Sequence, residues 1–325
     1  MNTDATLTGR RGASIRDYLA IARFDHATKH VFILPGLIAA YMLRLPSLDP
    51  LLSNLLLGLV SAIAIASANY TINEWLDRDF DRFHPTKSMR RSVVTDLSGS
   101  IVYLQYFLLC VVGIAAALCI NRLFLVTTLV FILSGIVYNV KPLRLKDRAF
   151  LDVLVESINN PIRFMLGWAM LEAAYLPPSS LLLAYWLGGA FLMASKRLSE
   201  YRQIAASSGT ELLHRYRRSF AGYSMDNLTI SCFIYALLST SFLSIFFVKY
   251  RIEYVLAFPT LVFMFAQYLK LSFQPDSTAQ RPEKLFKERG LMLLCLVTAG
   301  LFLLLTFVDV PILKGLSEPY LVRTP

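Results

Sequence analysis

Residues 68–96 read ANYTINEWLDRDFDRFHPTKSMRRSVVTD, and the first part of that stretch is the polar end of an apolar helix. Asn69, Asn73, Asp77 and Asp81 recur every four residues and so share one helical face, while Asp79 points away. Arg78, Arg82, Lys87, Arg90 and Arg91 supply cations in and after the same turns. An ordinary helix end, with Asp and Arg neutralising each other, would account for the charges. It would not need two asparagines reaching back into the apolar part of the segment, where an unsatisfied polar group is costly. A row of oxygen ligands beside a lipid phase suits a divalent cation, because Mg2+ prefers oxygen ligands and bridges phosphate oxygens. Acid and base then have a joint use: Asp plus Mg2+ neutralises a diphosphate from one side while Arg and Lys do so from the other.

The chain around this stretch is that of an all-α integral membrane protein. Of its 325 residues 56% are hydrophobic and 17% charged, against about 25% charged in an average soluble domain, and the mean hydropathy is +0.54. About 20 apolar residues span the hydrocarbon core as a helix. Nine stretches qualify, near 30–45, 51–73, 98–120, 122–140, 151–171, 179–195, 227–248, 254–271 and 291–309. They predict a nine-helix domain over 30–311, preceded by an N-terminal segment at 1–29 and followed by a short tail at 312–325. Residues 1–29 are polar and show no cleavable signal peptide. They predict a surface helix with Ile15, Tyr18, Leu19 and Ala22 on one face.

Lys and Arg accumulate on the cytoplasmic side of short loops. Placing the N-terminus and the loops after spans 2, 4, 6 and 8 on one side gathers 25 of the 32 Lys and Arg residues there. The expected orientation is therefore N-terminus in and C-terminus out, in what is expected to be a bacterial inner membrane, with the polar helix ends facing the cytoplasm. The net charge of +10 is a one-sided field that also attracts anionic headgroups. Nucleic-acid binding is not expected, since no aromatic and basic motif accompanies the charge. Cys110, Cys119, Cys232 and Cys295 fall in predicted spans without CxxC spacing, and His26, His30, His84 and His214 form no zinc pattern.

Span 5 repeats the polar device. In LDVLVESINNPIRFMLGW, Asp152, Glu156, Asn159, Asn160 and Arg163 recur at helical spacing on an otherwise apolar helix. At 1.5 Å per residue Arg163 lies roughly 16 Å along the span, where an ionised group must face a protein interior or a polar cavity. Pro161 predicts a kink that frees a backbone carbonyl. A buried Glu156–Arg163 pair is the alternative reading of these charges. The loops entering span 5 and leaving span 6 add Tyr138, Asn139, Lys141, Arg144, Lys146 and Asp147, then Lys196, Arg197, Glu200, Tyr201 and Arg202. Lys196 and Glu200, one turn apart, also fit a plain salt bridge.

These residues resemble a known family. NEWLDRDFDRFHPTK is similar to the first aspartate-rich motif of the UbiA superfamily of intramembrane prenyltransferases, and YNVKPLRLKD followed by an Asp-bearing helix resembles its next block. The resemblance runs from about residue 20 to 310 and implies nine helices around a central cavity capped by cytoplasmic loops. It also implies that Asn73, Asp77 and Asp81 hold Mg2+ and a diphosphate, with Arg82, Lys87, Arg144 and Lys146 as phosphate partners. Typical members carry a second DxxxD motif after span 6, where this chain has KRLSEYRQ at 196–203. There Glu200 would replace one carboxylate and Asp152 with Glu156 would supply others, and the resemblance implies no second metal site after span 6. HPTK, the KR…E arrangement and RYRRSFAGYSMDNL resemble instead the branch that transfers phosphoribose to a polyprenyl phosphate.

Both chemistries break a C–O bond to diphosphate and develop a cation, allylic or oxocarbenium-like. The site must stabilise the departing pyrophosphate and shield the cation from water. The expected activity is Mg2+-dependent transfer that joins a polyprenyl substrate to an acceptor, with phosphoribosyl transfer as the alternative and a membrane transporter as a remote one. Candidate catalytic groups are Asp152, Glu156 and Arg163. Candidate substrate contacts are Asn69, Arg82, Lys87, Arg144, Lys146, Asn160, Lys196, Arg197 and Glu200. Asp77→Ala and Asp81→Ala are expected to abolish turnover in a folded protein, on the view that both carboxylates are exposed helix-end groups.

Overall fold

The computed structural model describes residues 11–83, 87–275, 277–280 and 282–317. In chain order the helices are α1 (Ile15–Ala22), α2 (Leu34–Arg44), α3 (Leu51–Asp81), α4 (Arg91–Val94), α5 (Gly99–Leu118), α6 (Arg122–Asn139), α7 (Leu151–Ser157), α8 (Asn159–Ala169), α9 (Ser179–Tyr216), α10 (Met225–Tyr250), α11 (Phe258–Ser272), α12 (Arg289–Phe307) and α13 (Pro311–Ser317). Two-residue strands β1 (Arg11–Gly12) and β2 (Thr95–Asp96) pair in parallel. All nine apolar stretches are helical, and among the described residues six helices are long and apolar enough to cross a bilayer. These are α3, α5, α6, α10, the run Ile252–Ser272 that contains α11, and α12. The first expected span has only the 11 residues of α2, the fifth is divided into α7 and α8, and the sixth opens α9, whose 38 residues are two helical runs broken at Gly209 (φ 78°, ψ 169°).

The division of the fifth span falls at Ile158, whose backbone remains helical at φ −60°, ψ −20°. Pro161 lies three residues on and has no N–H to give the carbonyl of Ser157, so the ladder is interrupted one turn before the proline rather than at it. The short α8 then ends among donors that replace a longer helix. Asn121 Nδ2 bonds the Ala169 carbonyl at 2.7 Å and Asn54 Nδ2 bonds that of Met170 at 2.8 Å. In hydrocarbon such carbonyls need partners from the protein.

The chain divides into two compact units, Met1–Pro177 with Ile204–Tyr223, and Pro178–Gln203 with Ser224–Pro325. In the first, α3 packs most extensively on α5, where Ser61 Oγ bonds the Gly113 carbonyl at 2.8 Å. α2 crosses α8 at two reciprocal glycines: a Cβ on Gly36 would collide with the Phe164 carbonyl, and one on Gly167 with that of Ile33. Small residues let backbones approach this closely where lipid gives no hydrophobic drive to association. The core between α3, α6 and α8 includes Ile65, Phe124, Phe131, Ile162 and Leu166.

α1 is helical as expected, and of the expected face Ala22 is buried and Tyr18 packs against the Ile21 cluster. Ile21 packs with Leu97 and Val102, and Asp17 is buried with it, whereas Ile15 and Leu19 are exposed. In the second unit Phe247, Tyr254, Phe258 and Phe302 form an edge-to-face cluster. Arg251 bonds the carbonyls of Leu305 and Val308 at the end of α12, at 2.8 and 2.9 Å. The four cysteines are free.

Candidate active site

The row on α3 meets the loop between α6 and α7 in the first unit. Lys146 Nζ donates to Asn73 Oδ1 at 3.0 Å and to Asn139 Oδ1 at 2.8 Å, and pairs with the Asp77 carboxylate. Arg144 Nη2 donates to the same Asp77 oxygen at 2.8 Å, its Nη1 to the Asn139 carbonyl at 3.1 Å and its Nε to Asp147 at 3.1 Å. Both cations are buried. Burial pulls Lys146 down, the Asp77 charge pulls it back up, and the balance leaves its ammonium at about 8. The loop is held in a backbone form that side chains rarely adopt, with Arg144 at φ 34° and Phe150 at φ 66°. Each such residue costs on the order of 1–3 kcal/mol and persists only where its surroundings impose it. For Phe150 the imposition is visible, since its N–H donates to Tyr223 Oη at 2.6 Å.

Asp81 has a different partner. Arg90 Nη1 donates to it at 2.6 Å and lies 3.0 Å from Glu74, which also takes Arg23 at 3.3 Å and Ser92 Oγ at 3.2 Å. Burial works against the Arg90 charge, but Glu74 and Asp81 outweigh it and hold the guanidinium above its ordinary value. Asp81 is 4% exposed and the Asp77 side chain 20%, so neither is the exposed helix-end group expected from the sequence. Removing Asp77 would leave two buried cations without it, a change that destabilises by several kcal/mol. Replacement by Asn, which keeps an oxygen acceptor, is the gentler test of function.

A second cluster adjoins the first. Asp152 is fully buried and accepts from Tyr223 Oη, from Ser219 Oγ at 3.1 Å and from Arg217 Nη2 at 3.1 Å. The same Arg217 nitrogen donates to Tyr138 Oη at 2.9 Å, and Tyr138 donates to Glu156 at 2.7 Å. Arg217 acts electrostatically on Lys146. Its own charge is opposed by burial and held well above the ordinary arginine value by Tyr138 and Asp152. Glu156, with a side chain 27% exposed, is the more accessible carboxylate of the pair.

The structure thus gathers Asn73, Asp77, Arg144 and Lys146 directly, with Asp81 one turn along the same helix. Asn69 lies against Gly135 in the packing of α3 on α6 and donates to the Phe131 carbonyl at 3.0 Å. Arg82 is exposed, its guanidinium 4.9 Å from the centre of the Phe83 ring. Lys87 Nζ donates to Tyr216 Oη at 2.6 Å. Arg163 donates to the Asn159 carbonyl at 3.3 Å and lies over the Phe131 ring at 5.3 Å. Asn160 is half-buried at the second position of α8. Lys196, Arg197 and Glu200 belong to the second unit, where Arg197 Nη1 donates to Glu200 at 3.0 Å, both nearly fully buried. His84, Pro85 and Thr86 of HPTK lie outside the described residues.

Sequence reasoning missed Glu74, Arg217, Ser219 and Tyr223 as site residues. Glu74 stands off the four-residue row, and Arg217 sits in a basic run with no local sign of its partner 65 positions earlier. Among the described residues no three His, Cys, Asp or Glu side chains gather as a metal cluster. Asn73, Asp77 and Asp81 are nonetheless an all-oxygen set on one helix, which fits Mg2+ in kind.

Residues 32–294 match the UbiA prenyltransferase family. Over 188 residues, 57% of each chain, the protein is 29% identical to nodulation protein NoeC of Azorhizobium caulinodans. It is likewise 29% identical over 177 residues to decaprenyl-phosphate phosphoribosyltransferase of Mycolicibacterium smegmatis, covering 54% of this chain and 51% of that one. The matches thus span about half the length of these curated relatives. A UbiA homolog from Archaeoglobus fulgidus bound to DMAPP and Mg2+ aligns with a TM-score of 0.67 at 20% identity, over 90% of this chain and all of that one. At that identity the likeness is one of fold.

Proposed function

The chain belongs to the UbiA prenyltransferase family, and on that premise we propose that it is a Mg2+-dependent membrane transferase that joins a polyprenyl substrate to an acceptor with release of pyrophosphate. The observation that carries the reading is the convergence of Lys146 and Arg144 on Asn73 and Asp77. Two buried cations and an oxygen row in contact are what a diphosphate and its counter-ion would need. Asn73, Asp77 and Asp81 would hold Mg2+, which when bound supplies charge to the diphosphate oxygens.

The chain's own groups then divide the work. Arg144 and Lys146 face the departing pyrophosphate, fixed beforehand by Asn139 and Asp147 so that little reorganisation is needed as charge develops. Arg217 adds a third cation, and Asp152 with Ser219 holds it in place. Asp152 is then a positioning residue, its oxygens occupied and its side chain away from solvent. Glu156, hydrogen-bonded to Tyr138, is the carboxylate placed to receive a proton from an acceptor. The polar helix ends are assigned to the cytoplasmic side from the Lys and Arg distribution.

A second reading, phosphoribosyl transfer to a polyprenyl phosphate, is favoured by one feature. Where typical family members carry a second aspartate-rich motif, this chain buries the Arg197–Glu200 pair. Pyrophosphate release by the purified protein with Mg2+ separates the two. A polyprenyl diphosphate with an aromatic acceptor serves prenyl transfer, and phosphoribosyl diphosphate with a polyprenyl phosphate serves the second. Silence with both pairs would overturn the transferase assignment.

A further inference from the structure

Residues 204–223 belong to the first unit, and their end, 216–223, touches both loops that bring cations to the aspartates of α3. On the loop after α3, Lys87 Nζ donates to Tyr216 Oη at 2.6 Å and lies 4.5 Å from the centre of its ring. Lys87 in turn acts electrostatically on Asp81. On the loop between α6 and α7 the approach is closer: a Cβ on Gly222 would collide with the Ala149 side chain, and the Phe150 and Tyr223 rings meet edge to face at 5.2 Å. Tyr216, Phe220 and Tyr223 run ring to ring between the two loops, with centroids 6.0 and 6.2 Å apart. The Tyr223 hydroxyl is bonded twice on the α6–α7 side, accepting from the Phe150 N–H at 2.6 Å and donating to Asp152. Asp152 is fully buried, so water does not replace a donor lost from it.

Phe150 stands at φ 66°, a form that persists only where its surroundings impose it, and it follows Lys146 by one short turn. That turn is tied at both ends: the Asp147 N–H donates to the Arg144 carbonyl and the Asp152 N–H to that of Arg148, both at 3.0 Å. The backbone angle at Phe150 is thereby passed on to Arg144 and Lys146. We propose that Tyr223 is a positioning residue for the reaction: its hydroxyl locks the backbone of Phe150 and so fixes Arg144 and Lys146 on Asp77 before the diphosphate arrives. It acts through the loop and is not itself a catalytic group. A loop held in place beforehand spares the anion the cost of ordering it. With the hydroxyl gone both cations remain, but the diphosphate must order them as it binds, and the loss falls on affinity more than on the chemical step. The role in turnover rests on the transferase reading, whereas the lock on the cation loop does not.

The test is steady-state kinetics of the detergent-purified full chain, with calorimetric titration of Mg2+ and pyrophosphate and a melting curve for each variant. Tyr223→Phe keeps the ring and removes the hydroxyl. It should raise the KM for the diphosphate donor and the Kd for pyrophosphate about tenfold each, with kcat changed less than about twofold. Gly222→Ala, which pushes the segment off Ala149 and leaves every polar group in place, should move both constants in the same direction by a smaller factor. Tyr268→Phe removes the hydroxyl of a buried tyrosine in the second unit and should leave both constants unchanged. A lowered melting temperature with both constants intact in Tyr223→Phe would overturn the proposal, and so would an equal rise in Tyr268→Phe. A fall in kcat alone, with Kd unaltered, would also overturn it. If Tyr223→Phe does not fold, Gly222→Ala decides, and unaltered constants there overturn the proposal. Pyrophosphate binding that weakens as expected, in a chain that releases none from any donor pair, would keep the lock and remove the transferase reading instead.

Discussion

The polar end of α3 and the middle of α9 both carry carboxylates, and they are neutralised in different ways. On α3, Asp77 and Asp81 take their cations from separate segments: Arg144 and Lys146 from the α6–α7 loop, and Arg90 from the stretch before α4. On α9, Glu200 meets Arg197 from the preceding turn of its own helix. A cation on a loop can yield to a metal ion by a local shift. One fixed in the same buried helix turn yields only at the cost of an uncompensated charge. The row proposed to hold Mg2+ is accordingly the one on α3.

The most damaging test of that comparison is Asp77→Asn. It should lower turnover about 100- to 1000-fold and raise the Mg2+ concentration needed for half-maximal rate. Normal Mg2+-dependent turnover would end the assignment. Glu200→Gln should act on the fold instead, removing about 3–5 kcal/mol of stability by leaving Arg197 without that partner. Its melting temperature should fall while the Mg2+ requirement of the surviving protein stays where it was; a shifted requirement would make α9 a second metal element. Asp152→Asn tests whether the loop-borne pattern extends to Arg217. The expected loss is about 10- to 100-fold in kcat/KM, mainly through KM for the diphosphate donor, because Arg217 loses its anchor rather than the site its base. A fall confined to kcat with an altered acidic limb of the pH profile would return Asp152 to the role of base. Smallest is Arg82→Gln, where an exposed side chain stacked on Phe83 should change stability by no more than about 0.5 kcal/mol and leave turnover unaltered.

What the sequence made legible follows from how strongly each feature is dictated. Six of the nine expected spans could be read because hydrocarbon demands about 20 apolar residues in a row, and the Asn73–Asp77–Asp81 row because helical period alone aligns it. The interruption at Ile158 was legible in kind from Pro161, but the lost bond belongs to the carbonyl four residues earlier, so the break came sooner than the proline. On α1, Ala22 and Tyr18 of the expected face are buried or packed, but the contact of Ile21 with Leu97 and Val102, across more than 70 residues, is one that no local pattern encodes. Glu74 and Arg217 escaped for the same reason: a charge whose partner arrives from another segment looks, in sequence, like any other surface charge.

α1 bears on how this protein can be handled. An experimenter trimming a membrane protein for crystallisation begins with its polar N-terminal segment, and here a cut after Arg23, just past the end of α1, would look harmless. Yet Arg23, at the end of α1, reaches Glu74 at 3.3 Å, and Glu74 in turn shares Arg90 with Asp81. Shortening the N-terminal segment past that arginine would strip a counter-charge from the Glu74–Arg90–Asp81 cluster beside the proposed site, and the resulting inactivity would be mistaken for a failed purification.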